Sequence, residues 1–250
     1  MERQTCSQTI NNAFYEDLSE GWYTDTNHPI ALLRAENAVR VPWIIREIGE
    51  HKSVLDIGCG AGFLTNALAL KGHTVTGIDI SQSSIDIAQK YDTTKSVIYR
   101  KADAYSLPFS DQSFDVVCAM DILEHVETPQ RLISEAARVL KPNGLFFFHT
   151  FNRNLLSYLL IIKGVEWFVP NTPKNMHVYS LFIKPKQLSQ LCLRSGLTPI
   201  KFHGFRPKFS KEVWKMFFTH KIPDNFSFTF SKSLKTGYCG YAIKKTLFQT

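Results

Sequence analysis

The segment Asp56-Ile-Gly58-Cys-Gly60-Ala-Gly62 carries three glycines at alternate positions directly after an apolar run. Glycine lets a backbone turn sharply and lets a ligand approach without meeting a Cβ atom. The spacing is G-x-G-x-G, not the dinucleotide pattern G-x-G-x-x-G, and no Lys-Ser/Thr pair follows to make a phosphate-binding P-loop. Asp79 ends the next apolar run, about 20 residues on, where a carboxylate can accept both hydroxyls of a ribose. Asp103 closes a third run and is placed to receive an adenine amino group. Further on, Asp121, Glu124 and His125 put two carboxylates and an imidazole in one short segment. Such a set suits Mg²⁺ or another divalent cation when waters or substrate oxygens complete the shell. His125 could instead serve as a general base, or Glu124 and His125 could only fix the loop.

The elements that must position these groups alternate. Strands are expected at 53–57, 74–79, 96–100, 114–119 and 145–149. Helices are expected at 63–70, 83–89 and 129–140, the last with Thr128 as N-cap and Pro129 in its first turn. Lys141-Pro-Asn-Gly144 reads as a turn. Continuous apolar strands between helices mean a parallel sheet covered on both faces. Ligands bind such sheets at the carboxyl ends of the strands, so the loops after Ile57, Ile78, Ala102 and Ala119 should hold the chemistry. A helix over 37–48 precedes the sheet, with Pro42 expected to bend or delay it. Beyond Thr150 a strongly apolar stretch leads to a helix at 185–193 and strands at 198–203 and 237–244, with irregular, basic sequence between those strands.

Composition bounds the rest. With 250 residues, 44% hydrophobic and 20% charged, the chain is neither disordered nor collagen-like, and it needs no disulfide or metal to hold a core. Its five cysteines (Cys6, Cys59, Cys118, Cys192 and Cys239) are odd in number and unpaired in spacing, and no signal-peptide h-region opens the chain. A reducing, cytoplasmic setting follows. No apolar run approaches the roughly 20 residues of a membrane span. Residues 1–150 hold 13 basic and 19 acidic side chains, a net of −6, whereas residues 151–250 hold 16 and 3, a net of +13. That asymmetry suits contact with an anionic surface, membrane or nucleic acid, or a merely solvated basic face.

With its motifs in order, the chain resembles the class I S-adenosyl-L-methionine (SAM)-dependent methyltransferases. Leu55-Asp-Ile-Gly-Cys-Gly-Ala-Gly62 is similar to their first motif, and Ala102-Asp-Ala104, Leu107-Pro-Phe109 and Phe114-Asp-Val116 to later ones. The likeness extends to the ubiquinone-biosynthesis O-methyltransferases (the UbiG type). Met120-Asp-Ile-Leu-Glu-His-Val126 resembles their M-E-M-L-E-H-V, and Thr150-Phe-Asn-Arg-Asn154 their T-x-N-R-N. Gly164-Val-Glu166, Pro173-Lys174, His177 and Phe182-Ile-Lys-Pro185 follow in the family's order. Asp121 stands where that family has Glu, and residues before Ala31 and from 204 to 234 do not follow it.

The resemblance implies a doubly wound, mostly parallel seven-stranded Rossmann-like sheet. It implies a single methyltransferase domain over 1–250: an N-terminal helical cap (1–50), a SAM-binding core (51–150), an inserted helical segment after the fifth strand (151–187) and a completion of the sheet (188–250). It also implies that Asp56, Gly58, Gly60 and Gly62 approach the methionine part of SAM, that Asp79 with Ile80 holds the ribose, and that Asp103 with Ala104 faces adenine. Met120 would wall the cofactor, and Arg40 matches an arginine placed near it. Asp121, Glu124 and His125 would hold a divalent cation, with Glu124 and His125 as the catalytic pair, and His149 and His177 are further candidates.

The implied reaction is O-methylation of a polyprenylated catechol or quinol in ubiquinone biosynthesis. Another small hydrophobic acceptor is the alternative. A nucleic-acid substrate is disfavoured because Asp121-Ile-Leu-Glu replaces the N/D-P-P-Y segment of amino-directed enzymes, and the intact carboxylates argue against a SAM-binding module without activity. Leu155, Leu156, Leu159, Leu160, Ile162 and Trp167 form one wide apolar helix face, with Lys163 and Lys174 near its far end. It suits either a lid over the site or an interfacial helix of a protein peripheral to the inner face of a membrane.

Overall fold

The computed structural model describes residues 9–208, 219, 222, 223 and 225–245. Cys6 and part of the basic stretch, residues 209–218, lie outside them. The apolar runs form β1 (Ser53–Ile57), β2 (Thr74–Asp79), β3 (Ile98–Lys101), β4 (Phe114–Met120) and β5 (Leu140–Phe151). Val54, Leu55 and Ile57 have essentially no solvent contact, as a strand covered on both faces requires. Three helices precede the sheet: α1 (Phe14–Asp17), α2 (Gly21–Thr24) and α3 (Ile30–Ile48). The crossovers are α4 (Phe63–Ala69), α5 (Gln82–Tyr91) and α6 (Pro129–Val139). After β5 come α7 (Leu155–Ser157), a π-helical segment (Tyr158–Lys163), α8 (Gly164–Phe168), α9 (Pro185–Arg194), β6 (Leu197–Pro207), β7 (Phe228–Ser231) and β8 (Gly237–Lys244).

The sheet has eight strands among the described residues, in the order β3-β2-β1-β4-β5-β8-β6-β7. The first five are parallel, and β8 runs antiparallel between β5 and β6. The sequence leads one to expect seven. The eighth, β7, is a four-residue edge strand inside the stretch expected to be irregular, although Phe226-Ser-Phe-Thr-Phe-Ser231 does alternate. It is set by tertiary pairing, with Phe205 opposite Phe230 in the ladder and Phe205 stacked on Phe228 at 5.2 Å. The strand order reverses between β1 and β4, which opens the crevice where such sheets bind ligands.

Two other local differences have clear causes. The expected turn at 141–144 is absorbed into β5, because Leu140 pairs with Phe114 before the register shifts and Val116 meets Leu145. Helix α3 runs on through Pro42 and begins at Ile30, since packing of Val41, Trp43, Ile44 and Ile48 against the sheet outweighs one lost donor. Ser81 caps α5 by accepting from Ser84 N–H at 3.1 Å, whereas the Thr128 side chain caps nothing.

The core lies in two layers, one on each face. Phe146 and Phe148 of β5 point towards α6 and α9, where Leu132, Ile133 and Leu188 pack on them, and Phe147 points to α3 and α4. The segment after β5 is tied back to the sheet. Asn154 caps α7 by accepting from Ser157 N–H and donates to Lys235 O at 2.8 Å, while Ile183 N–H donates to Phe151 O at 3.0 Å. The Tyr238 hydroxyl of β8, fully buried, donates to Ile183 O at 2.8 Å. No helix among the described residues is long and apolar enough to cross a membrane.

Removing that hydroxyl strands a buried carbonyl. Tyr238→Phe is expected to cost about 1–3 kcal/mol, read as a lower urea midpoint. An unchanged midpoint would mean that the hydrogen bond does not hold the inserted segment.

Candidate functional site

The glycine loop turns out of β1 with left-handed backbone at all three expected glycines. Gly58 and Cys59 N–H donate to Ile78 O, which pins the loop to the end of β2. At Gly60 (φ +51°) a Cβ would come 2.9 Å from the Trp22 ring, so glycine is required both by the backbone and by the aromatic lid above it. Gly60 N–H donates to Asp79 Oδ2 and Ser81 N–H to Oδ1, each at 2.9 Å. Asp79 is thereby fixed with lone pairs left on both oxygens. Burial pushes its carboxyl up, against the pull of those N–H groups.

These groups border a cavity of about 740 Å³ at the strand ends. Of the residues expected to hold a cofactor, Asp56, Gly58, Gly60 and Asp79 form one wall, and Ile80, Asp103, Ala104 and Met120 continue it. Gly62 lies behind the loop as the N-cap of α4. Asp56 is buried, and burial next to the charges of Asp79 and Asp121 raises its carboxyl well above the usual range.

Arg40 is placed differently from expectation. It is completely buried and stands off the cavity, because a guanidinium without water takes the carboxylates that neutralise it. It donates to Asp121 Oδ1 at 2.7 Å and Oδ2 at 2.5 Å, and Glu36 lies 3.2 Å away. Asp121 also pairs with His149 Nδ1. Burial alone would raise the Asp121 carboxyl, but Arg40 and His149 hold it far below the usual range. Burial raises Glu36 to about 8 in spite of Arg40.

The expected trio of Asp121, Glu124 and His125 is therefore split. Asp121 turns to Arg40 and His149, and His177 takes its place: ligand atoms of Glu124, His125 and His177 lie within 4.8 Å of one another. Glu124 has no solvent contact, and its carboxyl lies beside the equally buried Thr150 hydroxyl, with no other hydrogen-bond partner among the described residues. Burial and the Asp121 charge raise it to about 8. Burial lowers His125 to about 4 and His177 to about 3, so both imidazoles are neutral. This cluster opens on a second cavity of about 670 Å³, with Phe151, Leu156, Leu160, Phe168 and Phe226 on its walls. The two cavities share Tyr15, Leu33, Asp121 and His125 as a common wall.

Several contributors escape a reading by motif. Tyr15 stacks on Trp22 at 5.5 Å and meets His125 edge-on at 5.9 Å, yet both aromatics sit in an N-terminal stretch without periodicity or likeness to a family. Asn12, in the same stretch, is bonded to His125. Glu36 carried a signal, its spacing of four residues from Arg40 on one helix.

Comparison with known proteins agrees with this geometry. The methyltransferase-domain family matches residues 55–148. A ubiquinone biosynthesis O-methyltransferase of Coxiella burnetii is 37% identical over 224 residues, covering 84% of this chain and 94% of the relative. One from Thiobacillus denitrificans is 38% identical, covering 77% and 84%. Among solved structures, a SAM-dependent methyltransferase from Thermotoga maritima superposes with a TM-score of 0.64 at 19% identity, over 93% of this chain and 99% of that one. The magnesium protoporphyrin IX methyltransferase of Synechocystis with bound SAH gives 0.60 at 17% identity, over 95% and 90%. At such identities these two likenesses speak for the fold.

Asp121→Asn leaves the Arg40 charge short of its counter-ion. The folded-state pKa of Asp121 lies below the unfolded one, so its contribution is present above about pH 4 and is lost as pH falls through the folded value. Urea unfolding at neutral pH is expected to show a loss of about 3–5 kcal/mol that narrows only below about pH 4. Equal midpoints at neutral pH would mean that Arg40 is neutralised by other groups.

Proposed function

Because the chain belongs to the ubiquinone biosynthesis O-methyltransferases, a family of SAM-dependent methyltransferases, we propose that it methylates a hydroxyl of an apolar, prenylated phenolic intermediate of ubiquinone biosynthesis. The observation that carries this reading is the common wall. A cavity with the carboxylates and glycines suited to a nucleoside meets a cavity of aromatic and aliphatic side chains, and among the described residues Tyr15, Leu33, Asp121 and His125 belong to both. A methyl group leaving the first would meet an acceptor held in the second.

In the reaction the acceptor oxygen attacks the methyl carbon in line with the carbon–sulfur bond. That bond breaks, S-adenosylhomocysteine leaves with the electron pair, and the hydroxyl proton passes to a base. The protein's share is to align the two partners and to receive the proton. Asp79 would orient the ribose through its fixed oxygens. His125, neutral through burial, has a nitrogen lone pair for the proton. Glu124, with the Thr150 hydroxyl beside it, brings its carboxyl oxygens to the same place. These oxygens and the imidazoles of His125 and His177 also fit a divalent cation, which when bound would lower the affinity of the phenol for its proton.

The test is methyl transfer from labelled SAM to a short-prenyl catechol, with and without a chelator. Product is expected, and Glu124→Ala is expected to lower kcat about 100-fold with SAM affinity unchanged. Chelator-sensitive turnover would assign Glu124, His125 and His177 to a cation, and resistant turnover would leave His125 as the base. SAM binding without product would sink the acceptor assignment.

The same acceptor favours contact with a membrane at the cytoplasmic face. Leu155 and Trp167 are 70% and 59% exposed, and Leu156, Leu159, Leu160 and Trp167 line the apolar cavity from the segment after β5. A prenyl tail leaving that cavity would pass along these side chains. Sedimentation with phosphatidylglycerol liposomes at low salt is expected, and release by Leu159→Ser with Trp167→Ser. A protein that stays in the supernatant would leave this segment as a lid alone.

A further inference from the structure

Asn12 lies in the segment before α1 and makes two hydrogen bonds to one residue. Its Nδ2 donates to the backbone carbonyl of His125 at 3.3 Å. Its Oδ1 faces His125 Nδ1 at 2.9 Å. Each contact determines the other. The carbonyl can only accept, so the amide nitrogen must face it, and Oδ1 is left for the ring. Oδ1 can only accept, so Nδ1 must carry a proton. In a neutral imidazole the proton on Nδ1 leaves the lone pair on Nε2.

The reach of Asn12 is itself held from both sides. Asn11 N–H donates to Asn175 O at 3.0 Å and Asn11 Nδ2 to Lys174 O at 3.3 Å, two and three residues from His177. On the other side Ser83 Oγ, in α5, donates to Glu16 O at 2.9 Å. The strap thus spans the core and the segment that bears His177, and Asn12 is where it touches the reactive cluster. Tyr15, from the same strap, meets the His125 ring edge-on and limits its tilt.

We propose that Asn12 is a positioning residue for methyl transfer, holding His125 in the Nδ1-protonated tautomer so that Nε2 keeps the lone pair used at the Glu124–His125–His177 cluster. This rests on the assignment of that cluster to the acceptor site. When the acceptor hydroxyl gives its proton to Nε2, Asn12 Oδ1 still accepts from Nδ1, and the ring gains a proton without turning.

The test reads the tautomer directly. Protein labelled with ¹⁵N-histidine is examined by long-range ¹H–¹⁵N correlation, with His125 identified by the signal missing in His125→Gln. Wild-type His125 is expected to show a protonated Nδ1 and a bare Nε2. In Asn12→Ala the Nδ1-protonated form is expected to lose its dominance, and kcat for the catechol to fall about tenfold or more, with SAM affinity within about twofold of wild type. Asn12→Asp keeps the acceptor atom and is expected to keep the Nδ1 proton and to turn over faster than Asn12→Ala. A wild-type His125 protonated on Nε2 overturns the proposal, as does an Asn12→Ala protein with the wild-type tautomer or the wild-type kcat. If wild-type protein binds SAM but methylates no catechol, the acceptor reading fails, while the tautomer measurement still decides the part of Asn12.

Discussion

A guanidinium without water is the constraint on which the site depends. Arg40 projects from α3 into a space with no solvent, and a charge there is tolerable only with counter-charge and hydrogen bonds at hand. Asp121 supplies both from the end of β4, Glu36 brings a carboxyl oxygen to 3.2 Å from the preceding turn of α3, and His149 braces Asp121 from β5. Asp121 meets Arg40 from a left-handed backbone (φ 60°), a conformation uncommon outside glycine that Asp tolerates better than most residues. That turn launches the short helix Leu123–His125, and so places Glu124 and His125. One ion pair thereby joins the N-terminal helix to the tips of two strands.

The electrostatics of the site follow from the same economy. Burial drives the carboxyls of Asp56, Glu36 and Glu124 upward and the imidazoles of His125 and His177 downward. These groups therefore tend to neutrality, and Arg40 and Asp121 hold the charge in mutual contact. On the proposed reading, an apolar acceptor would meet polar side chains that are mostly uncharged. On the proposed reaction the proton would go to an imidazole that burial keeps unprotonated, and the same burial makes its conjugate acid quick to pass the proton on.

What the sequence disclosed and what it withheld divide along physical lines. The glycine loop, Asp79 and the strands from Ser53–Ile57 to Phe114–Met120 were legible because local pattern alone dictates them: apolar runs, left-handed turns, a carboxylate at a strand end. The partners of Asp121 were not legible, since a buried charge chooses among carboxylates by three-dimensional proximity. The contact of Asn12 with His125 was hidden for the same reason, as it exists only through a residue distant in the chain, whereas the alternation of edge strand β7 was there to be read. His177 stood out as a candidate, but only the packing of its segment brings it beside Glu124.

Strand β8 has a consequence for the birth of the molecule. It is the last of the eight strands in chain order, yet it lies inside the sheet between β5 and β6, and Gly237 at its start sits against the His149 ring. A ribosome delivers the glycine loop, Asp79 and Glu124 long before residues 237–244 emerge. Until they do, one edge of β5 is bare, Ile183 lacks the Tyr238 hydroxyl, and the wall beside His149 is missing. The nascent chain thus carries most of the wall of the first cavity but no closed second one, and a truncated product of translation would present an open, aggregation-prone strand edge to the cell's quality control.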